Sequence, residues 1–300
     1  MNRSALFFAS ALILSAPAAM AQDSSLVDVE LGLAGIEADA EILGDELIDA
    51  NVGMNNAESA INGASQSANR AVDYATQQSN GGNQAANLHM VARAMGDIDG
   101  TAAAIGNSYS MESVADATSR VKQANSGDNY ATVSTIVRRV DDANVTAAAI
   151  GNTASIASDL STVSTRSAQY SDGYMTSQVS AKLTQLDDAV ATAASIGNSL
   201  NVELPGSGTT VSRQSNAGTT VATLNGTLRG FDTGSLTAAA IGNTASVASL
   251  NSNTVGNVST RIRQSNAGHQ SSALAARISH GAEAAATAAS IGNTVNISVQ

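Results

Sequence analysis

Three histidines, two pairs of adjacent aspartates and two recurring amide side chains are the residues here that could support chemistry or recognition. His89, His269 and His280 occupy unrelated places in the sequence pattern, and none has another ligand at metal-binding spacing. They are expected to be surface histidines rather than ligands. Asp141-Asp142 and Asp187-Asp188 would have to be carboxylate pairs for glycoside hydrolysis to be considered. Each pair lies between two extended segments, where turns ordinarily place Asp. The sequence contains no Gly-Gly-x-Gly-x-Asp calcium repeat, no phosphate loop and no nucleophile beside a base. Neither catalysis, a cofactor nor a metal is therefore expected.

The amides are more informative. Gln78, Gln123, Gln169, Gln214 and Gln264 each open a Gln-x-Asn/Ser-x-Gly string. Asn107, Asn152, Asn198, Asn243 and Asn293 each end the Ile-Gly-Asn of a Thr-Ala-Ala-Ala/Ser-Ile-Gly-Asn-Ser/Thr string. From each Gln to the Gly of the next Ile-Gly-Asn is always 28 residues, while the connection to the following Gln is 17, 18, 17 and 22. A unit of fixed length thus alternates with a tolerant loop, which is the mark of stacked repeats. Primary amides both donate and accept, so equivalent Gln and Asn side chains can pair from one repeat to the next as buried ladders.

The elements that must position these amides follow from alternation. Ala86, Leu88, Met90 and Ala92 share one face of an extended segment, as do Ala131, Val133, Thr135 and Val137 in the next repeat. His89, Arg93, Ser134 and Arg138 fall on the opposite face. A period of two with one apolar face predicts a half-buried strand. The Ile-Gly-Asn segment predicts a second strand, with Thr146, Ala148, Ile150, Asn152, Ala154 and Ile156 on one face and Gly151, Thr153 and Ser155 on the other. A helical reading of Val133, Val137 and Val140 exists, but Gly226, Gly230 and the β-branched residues oppose it. The expected fold is all-β, a β-solenoid with about two narrow layers per 45-residue repeat, one wide layer being the alternative the sequence leaves open.

Only 3% of residues are aromatic and 13% are charged, and the net charge is -11. The few bulky side chains disfavour a deep pocket, and an acidic balance disfavours nucleic acid. Residues 1–21 read as a secretory signal: Arg3, an apolar run from Ala5 to Leu14, then Ala19-Met20-Ala21. Residues 22–73 carry ten acids between Asp23 and Glu58 and read as a cap or degenerate repeat, with Ile42-Leu43-Gly44-Asp45 echoing Ile-Gly-Asn. Residues 74–300 are the five-repeat array.

The string Gln123-Ala-Asn-Ser-Gly127-Asp-Asn129-Tyr-Ala131 resembles the repeat of curlin, the subunit of bacterial surface amyloid fibres. The Ala-Ile-Gly-Asn strand is similar to the β-repeats of holdfast-anchor proteins. These resemblances imply an exported surface fibre or anchor of a Gram-negative bacterium, passed through an outer-membrane channel and active in adhesion or biofilm matrix. The last repeat runs through Val295, Ile297 and Val299 with no cap, so self-association or docking of another surface subunit at an open final layer is expected. Polysaccharide is a further expected partner. Two alternatives are a β-helix enzyme acting on acidic polysaccharide, disfavoured because the basic residues look thinly spread, and an ice- or surface-binding face displaying Thr153, Thr244 and Thr294.

Overall fold

The computed structural model describes residues 28–32, 35–43, 56–68, 72–113, 116–158, 162–204, 207–249 and 258–299; the expected signal segment lies outside them. The described elements are strands throughout, and no residue among them is helical. The order is β1 (Asp28–Gly32), β2 (Gly35–Leu43), β3 (Asn56–Ala68), β4 (Val72–Asn80), β5 (Gln84–Met95), β6 (Ile98–Ser113), β7 (Ala117–Asn125) and β8 (Asn129–Val140). There follow β9 (Asp142–Ser158), β10 (Val163–Ser171), β11 (Met175–Leu204), β12 (Gly208–Asn216), β13 (Thr220–Ser249), β14 (Val258–Asn266) and β15 (Gln270–Val299).

Each repeat contributes a nine-residue strand (β4, β7, β10, β12 or β14) followed by a longer stretch that turns back on itself. These nine-residue strands form a five-stranded parallel sheet, and the other ten described strands form a second sheet. Pairing is in register by whole repeats: Gln123 sits beside Gln78 and Gln169, and Asn152 beside Asn107 and Asn198. One repeat therefore makes one layer, not the two narrow layers expected. The reason is that the returning segment, β9 with 17 residues, reaches back past β8 to β7 of its own layer. Parallel sheets stacked by whole repeats are compatible with a β-solenoid.

In the layer of β7, β8 and β9, the chain runs along β7 and on through β8, then returns along β9 against both. Side-chain amides report the contacts: Asn129 Nδ2 donates to the Ile150 carbonyl at 2.7 Å, and Gln123 Nε2 to the Thr153 carbonyl at 2.8 Å. The return is made at a corner where Arg139, Gln185, Gly230 and His280 occupy equivalent positions with φ of 54°, 60°, 68° and 59°. The Asp141-Asp142 and Asp187-Asp188 pairs flank this corner, in exposed positions.

Two cores result. Ala131, Val133 and Val137 pack with Val145, Ala147 and Ala149 in the first, with their counterparts in other layers. Val121 packs with Ala154 and Ile156 in the second, beside Tyr109, Met111, Leu200 and Val202. The inward residues of β9 are thus odd-numbered before Gly151 and even-numbered after it. The single-face reading of Thr146 to Ile156 is corrected accordingly: Ala148 and Ile150 belong to a third cluster with Ile105, Ile196 and Ile241. The pairing passes from Ile150 to Asn152 in unchanged register, with Gly106 and Gly197 skipped beside Gly151, so these layers change face at equivalent glycines. A Cβ on Gly151 would stand 2.5 Å from the Gly197 carbonyl oxygen and 2.6 Å from Ser171 Oγ, so the position admits only glycine.

The described strands β2 and β3 add one further layer. β2 pairs in parallel with β5, and β3 with β6, placing Asn62 beside Asn107. Ile42 and Leu43 stand beside Ala92 and Arg93, so the true counterpart of Ile-Gly-Asn is Ala60-Ile61-Asn62, not the Ile42 echo. β1 adds to the outer side of β2 in antiparallel fashion.

Candidate recognition surface

The five Gln form one continuous column in the second core. Gln123, Gln169, Gln214 and Gln264 each donate from Nε2 to Oε1 of the preceding Gln, at 2.8, 2.8, 2.8 and 2.7 Å. Each Nε2 also donates to a carbonyl of the returning strand thirty residues on, from Gln78 to Ser108 through Gln264 to Thr294. The Asn of Ile-Gly-Asn form a second column that runs the other way. Asn107, Asn152, Asn198 and Asn243 donate forward to the next Asn Oδ1 at 2.7, 2.7, 2.8 and 2.7 Å. They also donate to the following short strand, as Asn107 does to Ala124 O and Asn152 to Tyr170 O. Both columns are buried through the middle layers, where each saturated amide is worth most because no water can replace its partner. Their opposed directions fix layer-to-layer register and tie the short sheet to the returning strand.

A third column is broken. Asn80 donates to Asn125 Oδ1 and Asn216 to Asn266 Oδ1, but the intervening residue is Ser171. Ser171 Oγ and Asn216 Oδ1 are buried there with no partner.

No group of three or more His, Cys, Asp or Glu side chains that could hold a metal occurs among the described residues. Nor is any described helix long and apolar enough to cross a membrane. Thr153 and Thr244 are buried, so the expected flat hydroxyl face for ice or surface binding is not on display. At the last layer β14 and β15 have no strand on their outer side among the described residues. Val295 and Ile297 are exposed there.

The expectation of thinly spread basic residues is also corrected. Arg120, Lys122, Arg166, Arg213, Arg261 and Arg263 all point outward from the five-stranded sheet. They stand one or three residues before a repeat Gln, a spacing that the repeat alignment could have exposed. A groove of about 540 Å³ follows this face across the layers, lined by Gln77, Lys122, Tyr170, Arg213 and Arg263, with the repeat Gln residues beneath. The Tyr170 ring is exposed and its hydroxyl donates to Asp172 Oδ2 at 3.2 Å. The Asp172 carboxylate, followed by partial burial, raises the Tyr170 pKa above the ordinary phenol value.

Among known proteins, no curated protein and no solved structure matches the chain. The profile of the holdfast attachment protein D family, HfaD, matches residues 34–255, which take in β2 through β13. The chain belongs to the holdfast attachment protein D family, and its place is in attachment at the cell surface.

Proposed function

We propose that this chain is a non-enzymatic structural anchor, a β-solenoid shaft that ties the holdfast to the cell surface after export through an outer-membrane channel. What carries this reading is the pair of opposed amide columns joining every described repeat, together with the family match. Such columns make a stiff element whose layers must separate together, which suits bearing load better than reshaping around a substrate. A strain lacking the chain is expected to make holdfast material and shed it on washing. Full retention of the material would count against the reading.

A second reading, fibre growth, is favoured by the outer edges of β14 and β15. Backbone groups of both strands, Gln264 Oε1 and Asn293 Nδ2 face the position that a further layer would take, and an unpaired edge is a template for another chain. Electron microscopy of purified protein tests it. Fibres with a cross-β spacing support growth, whereas persistent monomers leave a single docked shaft.

A further inference from the structure

We propose that the outer face of the five-stranded sheet binds an extended anionic polysaccharide lying along the stacking axis. The sequences of β7, β10, β12 and β14 contain no Asp or Glu, although the whole chain has 25 acids and 14 Lys and Arg. Six of those 14 basic residues stand on the outer face of these four strands. The nearest acids in sequence lie beyond the strand ends, at Asp116, Asp128 and Asp172, with Asp73 in β4. A positive stripe on a negatively charged molecule is a local inversion that selects polyanions and guides their approach.

The geometry narrows the polyanion. The basic residues fall in two columns, Arg120, Arg166 and Arg261 in one and Lys122, Arg213 and Arg263 in the other. Along each column, layers are about 4.8 Å apart, close to the advance of one pyranose ring per layer. Each column is interrupted once, the first at Val211 and the second at Ala168, in different layers. A linear polymer carrying one carboxylate on each sugar and lying between the two columns would therefore meet at least one cation in every layer from β7 to β14. The groove beside the second column runs across the layers from β4 to β14, and the exposed Tyr170 ring offers an apolar surface for a sugar face. A cell-surface location makes polysaccharide the polyanion at hand. This inference goes beyond anchoring itself, because washing assays score holdfast retention independently of which polymer binds.

The test uses purified full-length mature chain with polygalacturonate, neutral dextran, duplex DNA and anionic lipid vesicles as probes. Polygalacturonate is expected to bind, to weaken with added salt, and to bind better than any of the other three. The combined Lys122→Gln, Arg213→Gln and Arg263→Gln variant is expected to lose roughly tenfold in affinity. The combined Arg138→Gln, Arg229→Gln and Arg277→Gln variant, altered outside the short sheet, is expected to bind as the parent does. Arg213→Lys with Arg263→Lys keeps both charges and should keep binding, which separates loss of charge from loss of fold. Absence of polygalacturonate binding at low salt, tighter binding to DNA or vesicles, or equal losses in the two Gln variants would each overturn the proposal.

Discussion

Replacing Gln169 by Leu tests the Gln column at its middle layer. Gln169 Nε2 donates to Gln123 Oε1 at 2.8 Å and to the Ser199 carbonyl at 2.7 Å, and its Oε1 accepts from Gln214 Nε2 at 2.8 Å. Leucine fills similar volume but leaves Gln123 Oε1 and the Ser199 carbonyl without this donor and one Gln214 N–H without an acceptor, all out of reach of water. At about 1 kcal/mol for each of the three, the cost is about 3 kcal/mol. The same change at Gln264 breaks its bonds to Gln214 and Thr294 beside an open edge where water can substitute, so about 1 kcal/mol is expected. Urea unfolding followed by far-ultraviolet dichroism reads the difference. With a slope of about 2–3 kcal/mol per molar, the Gln169→Leu midpoint should fall by roughly 1 M and that of Gln264→Leu by about a third as much. A Gln169→Leu midpoint equal to the parent's, or no lower than that of Gln264→Leu, would refute the reasoning.

Ser171→Asn should complete the third column, accepting from Asn125 and donating to the orphaned Asn216 Oδ1. Asn125 and Asn216 already face Gly106 and Gly197 as residue 171 faces Gly151, so the larger side chain has room. A gain of about 1 kcal/mol should appear as a higher melting temperature. Gln185 holds a left-handed φ of 60° at the corner where the next repeat uses Gly230; Gln185→Gly should be neutral or stabilising by up to about 1 kcal/mol in urea titration, since the penalty for L-residues there is removed. Asp142 has its pKa raised by desolvation and by the Asp97 carboxylate, with Asp188 and Asp187 adding to it against a backbone hydrogen bond. A raised carboxylate pKa means the folded state holds its proton more tightly. Its contribution is therefore most favourable below the ordinary value of 3.8 and is lost as pH rises through the raised value. Asp142→Asn should flatten that part of the stability profile, and a profile identical to the parent's would contradict the assignment.

Much of the architecture was legible in the sequence because one alternation recurs five times. Leu88, Val133, Val179 and Leu224 are buried at the positions their period assigned, and the two amide motifs mark the columns their chemistry suggested. Three features were not legible. The change of parity at Gly151 is invisible to alternation, because glycine presents no side chain to count and the residues on both sides are small or apolar. The number of layers per repeat depends on whether the returning strand spans one predecessor or two, a long-range choice that local patterning does not encode. The basic face was hidden because its six residues are spread from Arg120 to Arg263. Whole-repeat register brings them together in two columns of three, each interrupted once, by Val211 and by Ala168. Side chains from repeats 45 or more residues apart become neighbours only once that register is known.

That register is the claim on which shaft, groove and open edge all depend. Because the chain has no native Cys, spin labels can be placed cleanly at Thr118 and Ser259, equivalent exposed or half-exposed positions three repeats apart. One layer per repeat predicts a backbone separation of about 14 Å from the strand spacing, read as strong dipolar broadening between the labels. A separation of about 29 Å, as two layers per repeat would give, would contradict it.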